Sequence, residues 1–113
     1  MVVRKISLPD LAERDIQKAI LQYLNLRGYV FKRNNSGMMF SEYQGKRRAI
    51  KLGEPGWPDL IGMTKEGRFV GIEVKARKGE VTPLQVAVID RINASGGMAF
   101  VARSVDEVIE KGF

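Results

Sequence analysis

The chain contains neither cysteine nor histidine. The first absence rules out disulfides and thiolate metal sites, and it fits a reducing compartment. The second excludes imidazole general acid–base catalysis and zinc centres of the His/Cys kind. No apolar run reaches the length that spans a bilayer, and no signal-peptide pattern opens the sequence. A cytoplasmic protein without membrane attachment is therefore expected. Internal repeats, low-complexity tracts and linkers are also missing. Any catalysis has to rest on carboxylates, lysines, hydroxyls or a hard metal held by oxygen.

What is present suits one compact domain. The 113 residues are 44% hydrophobic and 28% charged, ordinary globular usage that argues against global disorder. Lys and Arg number 19 against 13 Asp and Glu, a net charge of +6. A basic domain attracts polyanions, of which nucleic acid is the usual one; the plainer reading is a solubilising surface.

Periodicity orders the chain as α-β-(β)-β-β-α-β-α. Pro9 or Asp10 can open a first helix, with Leu11, Ile16, Ala19, Ile20, Tyr23 and Leu24 along an apolar stripe and Gly28 as its stop. Residues 29–33 read as a strand. Residues 37–55 can hold a short hairpin around Gly45 or form a solvated loop. Residues 58–64 and 68–76 read as strands joined by a tight turn, hence an antiparallel hairpin. Thr82 caps a helix with Pro83 in its first position, running to about Asn93 with Leu84, Val88, Ile89 and Ile92 on one face. Residues 98–103 form a strand, and Ser104 with Glu107 has capping-box spacing for a closing helix. The helix after strand 68–76 acts as a crossover, so that strand and 98–103 are expected to be parallel. The fold class is α/β, a central mixed sheet flanked by helices.

Strand alternation puts Glu73 and Lys75 on one face, with Ile72 and Val74 on the other. An exposed face with an ion pair would satisfy them. Asp59, however, lies about as far from the hairpin turn as Glu73, so the two stand side by side across the ladder. Adjacent carboxylates repel, and a divalent cation relieves the repulsion. Oxygen donors favour Mg²⁺ or Mn²⁺, and the Val74 backbone carbonyl can add a further ligand.

Pro58-Asp59, thirteen intervening residues and then Glu73-Val74-Lys75 resemble the PD-(D/E)xK nuclease motif. Glu13 upstream and Gln85 downstream, each beginning a helix, widen the match. From about residue 10 to 108 the chain resembles the VRR-NUC branch of that superfamily, in a minimal stand-alone form like those encoded by bacteriophages. In general plan it is similar to Holliday-junction resolvases. The resemblance implies a single restriction-endonuclease-like domain over 1–113, in a bacterial or phage-infected cell. It implies that Asp59 and Glu73 ligate the metal and that Glu13 contributes directly or through water. Lys75 would orient the attacking water or stabilise developing charge, and Gln85 would support the site. The implied activity is a Mg²⁺- or Mn²⁺-dependent, structure-selective DNA endonuclease acting on branched DNA such as four-way junctions, as a homodimer. The alternative is a non-catalytic nucleic-acid-binding module that retains the fold.

Lys32, Arg33, Asn35, Lys46, Arg47, Arg48, Lys51, Arg77 and Lys78 flank the candidate site in sequence and are expected to contact phosphates without reading bases. Trp57 can stack on a base, but burial as a core anchor is the expectation. Met38, Met39 and Phe40 suit either a dimer contact or the monomer core.

Overall fold

The computed structural model describes residues 11–34, 38–51 and 54–113, with the side chains of 38–43 and 47–51 left out of that description. Its elements are α1 (Glu13–Leu26), β1 (Val30–Arg33), β2 (Met38–Tyr43), β3 (Lys46–Lys51), β4 (Leu60–Met63), β5 (Phe69–Val74), α2 (Pro83–Ala94), β6 (Met98–Ala102) and α3 (Val105–Glu110). Four strands form one mixed sheet in the order β1-β4-β5-β6, while β2 and β3 pair with each other as a separate antiparallel ribbon. Within the main sheet β1–β4 and β4–β5 are antiparallel. The β5–β6 pair is parallel, as the α2 crossover requires.

The two sheet faces carry different residues. Val70, Ile72 and Val74 of β5 meet Ile16, Ile20 and Leu24 of α1, Val108 of α3, and Phe31, Leu60, Phe100 and Phe113 in one buried cluster. Each fully buried aliphatic side chain there contributes roughly 1.5–3 kcal/mol. Gly71, Glu73 and Lys75 point the other way, toward the side that α2 covers. Buried Ile92 of α2 reaches within 3.7 Å of where a Gly71 side chain would begin. The Pro58 ring comes closer still, at 2.7 Å, so β5 needs a glycine at that point to let the β4 approach segment pack flat on it.

Several expectations need correction. The first helix opens at Glu13, not at Pro9 or Asp10, which lie outside the described residues. Ala12 is its N-cap and makes no side-chain bond. The acidic first turn, Glu13 and Asp15, suits the helix dipole instead. Leu11 consequently falls before the helix and is 66% exposed, and Ala19 is exposed as well. Leu84 is half exposed rather than core, because only Ile92 of α2 is fully covered by the sheet. Strand β5 stops at Val74, although the Lys75 N–H still donates to the Ala102 carbonyl at 3.1 Å. Trp57, expected as a core anchor, is 39% exposed and stands edge-on to Phe69. Met38, Met39 and Phe40 lie in β2, where their side chains fall outside the described residues.

Candidate active site

The ladder between β4 and β5 pairs Leu60 with Ile72, so the next step outward sets Asp59 against Glu73. Both residues are at the end of the hairpin away from its turn, where the strands begin to part. Asp59 is held from three directions. Its carboxylate Oδ2 accepts the Val74 N–H at 2.9 Å, its carbonyl accepts the Asn34 N–H at 2.8 Å, and the Asn34 side-chain amide donates to the neighbouring Pro58 carbonyl at 3.2 Å. Buried Pro58 locks the approach between these contacts.

Glu73 is 2% exposed. Its Oε1 accepts the Gln85 amide Nε2–H at 3.0 Å and lies 3.8 Å from the Lys75 ammonium, itself largely buried. Its Oε2 is buried and accepts no hydrogen bond among the described residues. Burial first, then the Asp59 charge and the close side-chain approach of Asp59, with a smaller push from Glu13, outweigh the opposing Lys75 ammonium and together raise the Glu73 carboxyl to about 8. Two carboxyl groups in that relation hold together only with a proton or a cation between them.

Gln85 is fixed at both ends. Its side-chain oxygen accepts the Thr82 N–H at 2.9 Å, and its own N–H donates to Thr82 Oγ at 3.2 Å, a capping box that starts α2. With its oxygen committed to the cap, the amide has only N–H groups to present to Glu73. The sequence indicates the cap; the contact with Glu73 arises from how α2 docks on β5.

The structure thus gathers Asp59, Glu73, Lys75 and Gln85. Glu13 begins α1 as an exposed residue, near enough for its charge to act on Glu73 but with no hydrogen bond to it among the described residues. Among the described residues no three Asp, Glu, His or Cys side chains converge as a ready metal cage. The pair Asp59 and Glu73, with one buried oxygen left without a partner, nevertheless fits a hard divalent cation that keeps waters in its other positions.

The basic residues spread over several elements. Lys32 and Arg33 are exposed on β1, Lys46 is exposed at the ribbon turn, and Arg77 and Lys78 are exposed in the loop after Lys75. Arg47, Arg48 and Lys51 lie in β3 with side chains outside the described residues, and Asn35 lies outside them altogether. Two further residues matter here. Asn34 holds the Asp59 segment. Arg103 donates to the Ala76 and Gly79 carbonyls at 2.6 and 2.7 Å and so shapes the loop that carries Arg77 and Lys78. Both act on distant backbone carbonyls, a role without a local sequence signal.

The model of one protein family, described as the VRR-NUC domain, matches residues 11–106. No curated protein and no solved structure matches the chain. None of the helices among the described residues is long and apolar enough to cross a membrane.

Proposed function

The chain belongs to the VRR-NUC domain family, whose function is of the nuclease type, and from that premise we propose that it is a metal-dependent, structure-selective endonuclease of branched DNA. In this reading residues 1–113 act as one nuclease domain of a cytoplasmic homodimer, and four-way junctions are the preferred substrate. A twofold dimer would present two active sites to two strands of a symmetric junction. The observation that carries the reading is the buried Glu73 carboxyl, with an unpartnered oxygen, facing Asp59 beside Lys75 and Gln85.

Asp59 and Glu73 would hold Mg²⁺ or Mn²⁺, with the Val74 carbonyl and Glu13, directly or through water, completing the protein ligands. A divalent cation in that position supplies Lewis-acid charge for the scissile phosphate and lowers the pKa of a bound water. The Gln85 amide engages Glu73 Oε1, and Oε2, which has no partner among the described residues, would be open to a cation. The Lys75 ammonium stands beside the same carboxylate, placed to orient the attacking water or to offset charge gained by the phosphate. Asn34 and the Val74 N–H keep the Asp59 carboxylate from swinging away. Lys32, Arg33, Asn35, Lys46, Arg47, Arg48, Lys51, Arg77 and Lys78 would contact backbone phosphates.

A second reading, a non-catalytic nucleic-acid-binding module, is favoured by the absence of a three-carboxylate cage among the described residues. Labelled four-way junctions, flaps and linear duplexes incubated with Mg²⁺ or Mn²⁺ separate the two. Cleavage by the wild type, abolished in Asp59→Ala while DNA binding persists, is the expected result. Failure to cut any substrate with either metal, together with no heat on Mn²⁺ titration, would establish the module instead. Sedimentation should give twice the 12.7 kDa chain mass; a monomer at working concentration removes the dimer from the proposal.

A further inference from the structure

Behind the carboxylate pair, the loop that delivers Asp59 also builds a groove. Trp57, Phe69, Val88, Ile92 and Arg91 line about 360 Å³ of open, mostly apolar space between that loop and α2. Gly56, in a left-handed conformation with φ 81°, lets the loop close on Leu84 of α2, where a side chain would collide at 2.6 Å. Trp57 and Phe69 meet edge to face with centroids 6.5 Å apart, and both are more than a third exposed. Neither the Trp57 indole N–H nor the Arg91 guanidinium has a hydrogen bond or ion pair among the described residues.

We propose that this groove binds an unstacked nucleobase of the DNA substrate, with Trp57 as the stacking surface and Arg91 supplying the positive charge. The inference rests on the nuclease reading and names the feature of the substrate that the chain senses, a base unstacked at the branch. Its position supports it. Phe69 and Glu73 lie on the same face of β5 four residues apart, roughly 13 Å along the strand, or roughly four stacked steps of one DNA strand at 3.4 Å each. A strand whose phosphate reaches Glu73 therefore has a nearby base within reach of Trp57. The rigid link matters too: Trp57 immediately precedes buried Pro58, which fixes Asp59, so the groove and the carboxylates are held at a set spacing. Aromatic surface beside cationic charge is what single-stranded nucleic acid recognition uses. A second copy of the chain is the competing occupant, but this narrow strip is small beside the surface that a stable dimer buries.

Trp57 is the single tryptophan of the chain, so its emission reports on the groove directly. The full-length protein, in EDTA to prevent cutting, is titrated with a labelled short oligothymidylate while emission and anisotropy are read together. Saturable quenching that tracks the anisotropy is expected, with little quenching by an abasic strand of equal length. Trp57→Ala should weaken binding to the single strand on the order of tenfold and leave fully paired duplex unchanged, while Trp57→Phe recovers most of the loss. A rise in anisotropy with unaltered emission overturns the proposal. So does absence of binding, or an equal loss on duplex. Conversion of a dimer to monomer by Trp57→Ala, seen by sedimentation, assigns the groove to a second copy. Quenching by a wild type that cuts no substrate leaves the groove standing and removes the reaction, so the two failures are separable.

Discussion

Glu73 binds its proton up to about pH 8 in the fold, whereas an exposed glutamate releases it near 4.5. Between those values the folded chain holds a proton that the unfolded chain has lost, so the metal-free protein is most stable at the acid end and weakens as pH rises. The full difference is up to about 5 kcal/mol. Chemical denaturation in EDTA across that window should show the decline, and Glu73→Gln should flatten it; a variant with the wild-type slope would mean that another group titrates. The same proton competes with a cation. Mn²⁺ affinity should rise with pH through the window, and calorimetry in buffers of different ionisation enthalpy should detect proton release that is absent in Glu73→Gln. Asp59 does not need burial for its part, since the Val74 N–H and Asn34 hold it in place.

Elements convert such residues into a site through their packing, and β5 is where this is most exposed to test. Gly71→Ala would drive a methyl into the Pro58 ring, which sits 2.7 Å from the new Cβ and cannot rotate away. Overpacking of this kind costs roughly 1–3 kcal/mol, and here the displaced residue adjoins Asp59. Urea denaturation should show the loss, and cleavage should fall further than the loss of folded protein explains; unchanged activity would free Asp59 from dependence on Pro58. Thr82→Ala removes the hydroxyl that caps α2 and should cost about 1 kcal/mol, while loosening the Gln85 amide at Glu73. Much of this architecture is legible in the sequence for local reasons. The short 65–67 turn and the period-two pattern set the register that pairs Asp59 with Glu73, and Thr82-Pro83 marks the start of α2. The parallel β5–β6 pairing follows from the length of the crossover. What escapes is tertiary. An alanine cap hides the start of α1, and Leu84 looks apolar-faced until α2 is docked. Trp57 resembles a core residue in composition, yet Pro58 takes the buried place beneath Gly71 and leaves the indole at the rim. Gln85 enters the sequence reading only through the family resemblance, and nothing local tells that its amide hydrogens will find Glu73.

At the scale of the whole chain, a net charge of +6 surrounds a cluster of acids. The acidic site offers DNA phosphates no attraction until a cation arrives, so attraction must come from the flanks. The described flanks are β1, with exposed Lys32 and Arg33, and the loop after β5, with exposed Lys78. These positions admit two explanations. β1 is an outer strand of the main sheet, and lysine on an edge strand discourages pairing with other chains. Phosphate binding predicts something that edge protection does not. Each cation that neutralises a phosphate releases counterions, so the slope of log Kobs against log salt concentration falls by about one for each such side chain removed. The double variant Lys32→Ala, Arg33→Ala should therefore bind junction DNA with a slope smaller by about two, lose affinity alike on all sequences, and keep its Mn²⁺ heat. If the slope holds while the variant aggregates at high concentration, the two residues guard the sheet edge, and the phosphate path runs instead along the loop of Lys78 that Arg103 shapes.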